Sequence, residues 1–203
     1  MSRPLPARVG GEGPRRPPIL VAVAAGRTAA DLAVAAGADL VDLGGATARE
    51  VTDFTARHPG VPFRAADEPA GPPGGAVSAA RGALAEPAQT RRTDRAGGAS
   101  GPLLVCDSLA AARRTGLPPR LVAVAVADAA TLAEVRAAGH ATCVDADADA
   151  DGADGAAAAA SLATWLGADL IRTAHPLAVR RAIDMTLSIA GLRAPARAVR
   201  GLA

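Results

Sequence analysis

Gly167-Ala168-Asp169-Leu170-Ile171-Arg172-Thr173-Ala174-His175-Pro176, running on through Leu177 to Gly191, reads as a strand, an arginine near its end and then a helix. Pro176 takes a first-turn position, where a missing N–H costs no hydrogen bond, and Val179, Ile183 and Leu187 follow at i, i+4 spacing before Gly191. An earlier stretch, Gly37-Ala38-Asp39-Leu40-Val41-Asp42-Leu43-Gly44-Gly45, opens on the same Gly-Ala-Asp-Leu. Two strand openings of one type, each leading into helical signals, predict parallel β/α units.

Working outward, apolar runs alternate with helical segments. The strand candidates are Ile19 to Ala25, Asp39 to Leu43, Val61 to Ala65, Leu103 to Cys106, Leu121 to Ala127, Ala141 to Val144 and Asp169 to Thr173. Seven strands are one short of a closed eight-stranded barrel. Helix starts are marked by Thr28 ahead of Ala29 to Ala36, by the capping box of Thr47 and Glu50, by Asp107-Ser108 and by Asp128. Residues 69–101 break the rhythm with Pro-Gly clusters and hardly a large apolar side chain, which predicts a disordered insertion where a β/α unit would otherwise fit. The expected fold is α/β, a (β/α)8 TIM-barrel-like domain over residues 19–191 that is incomplete or interrupted by this insertion. Residues 1–18 read as a disordered leader and 192–203 as a tail.

Composition excludes several functions. Half of the 203 residues are apolar, enough for one sizeable core, but Phe54, Phe63 and Trp165 are the only aromatics. Base stacking on single-stranded nucleic acid relies on aromatic platforms, and the arginines are scattered among acids at a net charge of +2, so no nucleic-acid partner is expected. Every basic residue other than histidine is arginine; there is no lysine, asparagine or tyrosine, so no Schiff base or lysine clamp operates here. Cys106 and Cys143 lie far apart in apolar runs and read as reduced, buried thiols, which points to the cytoplasm. The run after Arg15-Arg16 is short and strand-like, which argues against an export signal, and no run is long enough to span a membrane.

Four candidates carry chemistry or local structure. Arg172 offers a forked donor set beside a helix start, the geometry of an anion ligand; a surface arginine at a strand end is the plainer reading. His175 suits a phosphate donor or general acid, although a residue directly before Pro176 more often caps the helix. Asp42, near the end of its strand, faces a barrel mouth or serves as a hydrogen-bonded structural aspartate. Asp147, Asp149, Asp151 and Gly152 match positions 1, 3, 5 and 6 of a calcium loop, but position 12 is Ala158, so a solvated acidic loop is expected and no metal site is assigned.

The segment Gly37 to Gly45 resembles the second-strand signature of dihydropteroate synthases, Gly-Ala-Asp-(Ile/Val)-Ile-Asp-(Val/Ile)-Gly-Gly. Gly167 to Gly191 resembles the last unit of that family, with Arg172, Arg180-Arg181 and Asp184-Met185 at the matching spacing. The two blocks cover roughly a fifth of the chain, in the family's order. The resemblance implies a barrel that binds dihydropterin pyrophosphate and 4-aminobenzoate, with the pyrophosphate near the final arginine and last helix. It places Arg172, Asp42 and Asp107, the last in Val105-Cys106-Asp107-Ser108, among the substrate- or anion-binding residues, and His175, one position after the family's histidine, joins them as a candidate from its own chemistry.

The departures concern catalysis. The family's metal-binding asparagine in Val-Asn-Val-Thr-Pro-Asp-Ser-Phe is absent from Val21-Ala22-Val23-Ala24-Ala25-Gly26, so the magnesium of the family has no ligand motif here. The lysine of Ser-Arg-Lys-Ser has no counterpart, the Glu of the loop after Gly45 is lost, and Ala174 stands where the family has histidine. The expectation is a cytoplasmic pterin-binding relative connected with folate biosynthesis, without efficient synthase activity and with no cofactor. Its partner is a pterin or pyrophosphate-like small molecule, with a homodimer or protein partner as a further expectation. A non-catalytic regulatory subunit, with the helix around Arg180 and Arg181 facing another chain, and another small phosphate-binding barrel enzyme are the alternatives.

Overall fold

The computed structural model describes residues 17–65 and 104–193. The expected leader lies outside them but for its last two residues, as do the insertion at 69–101 and the tail beyond Arg193. Seven strands form one parallel sheet: β1 Ile19–Val23, β2 Leu40–Asp42, β3 Phe63–Arg64, β4 Leu104–Cys106, β5 Val122–Ala125, β6 Ala141–Asp145 and β7 Leu170–Thr173. Their order is β3-β2-β1-β7-β6-β5-β4. Chain order therefore runs around an arc in which β7 returns to β1, and among the described residues β3 and β4 are its two edges. The result is an open, incomplete barrel. Each strand falls within an apolar run of the sequence or one residue beyond it, shortened most at β3, where two residues of Val61 to Ala65 pair.

The helices are α1 Arg27–Ala35, α2 Ala48–Arg57, α3 Leu109–Arg114, α4 Ala129–Ala137, α5 Gly152–Leu166 and α6 Pro176–Ile189. Thr47 and Glu50 close a reciprocal capping box on α2, and Ser108 and Asp128 cap α3 and α4 through the N–H groups of Ala111 and Thr131. One start differs from expectation. Gly26, not Thr28, is the N-cap of α1, because the chain enters at φ 83°, which a residue with a Cβ rarely adopts. The helix α5 has no hydrogen-bonding side-chain cap. Its nucleus is the alanine run, the strongest intrinsic helix former, and Ala156, Ala160 and Ala163 form a small-residue face buried in the core that α5 shares with Val179 and Ile183 of α6.

Alternation along the strands sorts side chains to two sides of the sheet. Leu20, Val122, Val124 and Ile171 face outward beneath the helices in one cluster, and Ala22, Val41 and Phe54 form a second under α1 and α2. Inside the arc, Val21, Ala123, Cys143 and Leu170 make a small core of their own. No helix among the described residues is long and apolar enough to cross a membrane.

The repeated Gly-Ala-Asp-Leu performs one job twice. Gly37 and Gly167, at φ 79° and 82°, end the preceding helices in the left-handed conformation. Two residues on, Asp39 accepts the Leu20 N–H of β1 at 2.9 Å, and Asp169 accepts the Thr142 N–H of β6 at 2.9 Å. Each aspartate thus pins the start of its strand to the preceding one. The side chain of Asp169 also accepts the Thr142 hydroxyl at 2.9 Å, and Arg180 of α6 reaches Asp39 at 2.7 Å and the Gly37 carbonyl at 2.6 Å. Both carboxylates lie at the N-terminal ends of the strands, the face that serves stability in barrels. Asp39→Ala and Asp169→Ala are each expected to cost about 1–3 kcal/mol, the penalty for a lost hydrogen-bond acceptor. Urea denaturation checks this, and the two losses should add, since the sites share no partner.

Candidate functional site at the barrel mouth

The inward-facing side chains change character toward the C-terminal ends of the strands. Above the apolar layer of Val21, Cys143 and Leu170, the next inward positions are Asp42 on β2, Arg64 on β3, Asp145 on β6 and Arg172 on β7. Their shared side follows from the register: Val23 lies opposite Asp42, Asp42 opposite Arg64, Val21 opposite Arg172 and Asp145 opposite Arg172. Period-two alternation therefore places four charged groups around one mouth.

Arg172 is the centre of this group. Its Nη1 donates to Asp145 Oδ2 at 2.9 Å, and its Nε lies 3.7 Å from Asp42 Oδ2 on the other side of β1. The Asp42 side chain is only 8% exposed, against 41% for Arg172 and 40% for Asp145, so its carboxylate depends most on the guanidinium for compensation.

The loop from β6 to α5 completes the arrangement. Asp147 accepts the Thr173 hydroxyl at 2.7 Å and the Ala174 N–H at 2.5 Å, while its own N–H donates to Asp145 Oδ1 at 3.0 Å. This loop packs on α5 at Gly155, where an added Cβ would meet the Ala150 Cα at 3.1 Å. The chain is helical from Gly152, so Ala158, position 12 of the calcium pattern, sits on α5 rather than on a loop. Among the described residues no group of three or more His, Cys, Asp or Glu side chains is arranged to hold a metal ion.

The remaining candidates are spread beyond this cluster, Arg180 at the opposite end of the strands. His175 occupies the N-cap position of α6, but its side chain makes no capping bond; its N–H donates to the Thr173 hydroxyl at 2.9 Å. Asp107 follows β4 and is exposed. Arg180, considered for a partner surface, is committed within the chain to Gly37 and Asp39, whereas Arg181 is exposed. Gly44 and Gly45 form a tight turn with Ala46 N–H donating to Leu43 at 2.9 Å. They border a cavity of about 220 Å³ walled by Ala24, Leu43, Phe54 and Arg57. In that cavity Arg57 is bound to Asp31 and lies 3.8 Å from Asp53, so its charge is spent on joining α1 to α2.

Asp145 and Arg64 are the site residues that sequence reasoning missed, and Asp147 was weighed only as the first position of a calcium loop. The signal for Asp145 was present: it ends the run Ala141 to Val144 as Arg172 nears the end of Asp169 to Thr173. Asp147 gives no such sign, because its partners lie 26 and 27 residues away in the next unit.

No protein-family model matches the chain, and no curated protein matches its sequence. Solved structures match its fold. Mycobacterium tuberculosis Rv1207 shares 20% identity and a TM-score of 0.56, covering 88% of this chain and 94% of that one. The dihydropteroate synthase of Xanthomonas albilineans in complex with 7,8-dihydropteroate has 16% identity and a TM-score of 0.57 over 88% and 95% of the two chains. The Yersinia pestis dihydropteroate synthase has 15% identity and a TM-score of 0.57 over 87% and 94%. The fold is thus that of the dihydropteroate synthases, the family whose strand signatures resemble Gly37 to Gly45 and Gly167 to Gly191.

Under the charged layer, burial pushes the Cys143 thiol up to about 11, with Arg172 opposing and Asp145 adding to the rise. Burial, and then Asp107, raise Cys106 as well. A raised folded-state value means the folded chain holds its proton more tightly. That contribution is complete below the unfolded value of about 8.5 and is lost as pH climbs through about 11. Lysine and tyrosine, which titrate in the same window, are absent. Stability to urea should therefore fall by on the order of 3 kcal/mol across this window. Cys143→Ala should remove most of the slope; an equal slope in that variant would contradict the assignment.

Proposed function

We propose that the chain is a pterin-binding barrel protein of the dihydropteroate synthase kind, connected with folate biosynthesis and without efficient synthase activity. The observation that carries this reading is Arg172 near the end of β7, facing the buried Asp42 across β1 at the mouth of a barrel of that fold. An apolar floor of Val21, Cys143 and Leu170 beneath a ring of acceptors and donors suits a flat heterocycle whose edge is polar.

Loss of turnover follows from charge. Departure of pyrophosphate needs cationic stabilisation, and removal of one such group costs orders of magnitude in rate. The chain has no lysine, and the one guanidinium among the carried-over site residues is bound to carboxylates. The residues present do not fit a magnesium ion either: β1 ends in Val23 and is followed by Ala24, neither of which offers a side-chain oxygen, and both Asp42 and Asp145 face Arg172. No step is assigned to a metal. The two unpaired thiols support a reducing compartment, the cytoplasm.

A thermal-shift screen with pterin, dihydropterin pyrophosphate, 4-aminobenzoate and pyrophosphate tests the reading. Pterin is expected to raise the melting temperature, since ligand at about 100 times its Kd adds about 2.7 kcal/mol. Asp42→Asn should weaken that response. Condensation of dihydropterin pyrophosphate with 4-aminobenzoate, abolished by Arg172→Ala, would overturn the claim of inactivity.

A non-catalytic partner subunit is the second reading, favoured by the exposed Leu162, Trp165, Met185 and Ile189 on α5 and α6. No shift with any of the four compounds, together with a sedimentation coefficient above that of a monomer, would decide for it.

A further inference from the structure

We infer that Asp145 and Asp147 are built-in anions, carboxylates that occupy the groups an incoming phosphate or pyrophosphate would use and so turn the mouth against anionic ligands. The inference rests on the mouth being the ligand site. Two donors there have the chemistry that binds anions: the Arg172 guanidinium and the Ala174 N–H ahead of α6. The first is taken by Asp145 at 2.9 Å and the second by Asp147 at 2.5 Å. The Thr173 hydroxyl, which follows Arg172, is also spent on Asp147, at 2.7 Å.

These bonds form one fixed unit rather than independent surface pairs. The Asp147 N–H holds Asp145 Oδ1 at 3.0 Å, and the Ala146 N–H donates to the Arg172 carbonyl at 2.9 Å. The loop from β6 is thereby registered on the end of β7, and both carboxylates arrive without further ordering. With Asp42 on the other side of the guanidinium, three carboxylates stand against Arg172 and the Arg64 of the same inward side, a balance of −1. An incoming pyrophosphate would have to displace two intramolecular acceptors and then lie beside the displaced charges. A neutral ligand with hydrogen-bonding edges meets no such barrier.

Titration calorimetry with inorganic pyrophosphate tests the inference on the full chain. Asp145→Asn with Asp147→Asn keeps the size of both side chains and removes their charge. The double variant should bind pyrophosphate at least about tenfold more tightly than the unaltered protein, one decade in Kd, and Arg172→Ala added to it should abolish the gain. Equal binding by unaltered protein and double variant would overturn the inference. So would a double variant that melts normally and binds no pyrophosphate. If the double variant does not fold, Asp145→Asn alone leaves the Asp147 contacts with Thr173 and Ala174 in place; tighter binding there supports the inference and unchanged binding overturns it. Pyrophosphate has no ring, so failure here leaves the pterin reading to its own screen.

Discussion

The pairing of β1 with β7 holds the two halves of this protein together. Among the described residues, β1 to β3 form one run of neighbours and β4 to β7 another, and Ile19 to Ala22 against Leu170 to Thr173 is the strand pairing between them. These partners are about 150 residues apart in sequence, so the contact carries a large loop-closure entropy. The chain reinforces the junction: α6 packs on β1, and Arg180 of the same helix grips Gly37 and Asp39 at the start of β2. The opposition of Asp42 and Arg172 depends wholly on this junction, since one belongs to each half.

Much of the architecture was legible in the chain because parallel strands buried on both sides are written as apolar runs. All seven runs contain strands, and the caps at Thr47, Ser108 and Asp128 act as their chemistry requires. The start of α1 was misplaced because a glycine at positive φ supplied the entry that Thr28 was expected to give. The α5 helix escaped notice for a related reason: alanine fills both its buried and exposed faces, so the usual apolar stripe carries little contrast.

The site was legible in a different proportion. Arg172 and Asp42 stand out by their places near strand ends, and the structure does bring them to one mouth. The bonds of Asp147 to Thr173 and Ala174 were not readable, because a row of alternating aspartates looks like a solvated loop until the loop is seen to fold over the neighbouring strand. The shared Gly-Ala-Asp-Leu had the opposite history. As a sequence signature it drew attention to ligand binding, yet its aspartates work at the far end of the barrel, where their side chains fasten one strand to the next.

Gly155 gives this arrangement an evolutionary reach beyond its size. The loop that delivers Asp147 rests on that residue, and the space there is too small for one more methyl group without movement of Ala150. The electrostatic sign presented to a ligand is therefore coupled to a van der Waals contact on the outer side of the barrel. A lineage that gained a side chain at this helix position would press on the loop that carries Asp147 without altering any charged residue, and selectivity would drift under a substitution that looks like mere packing.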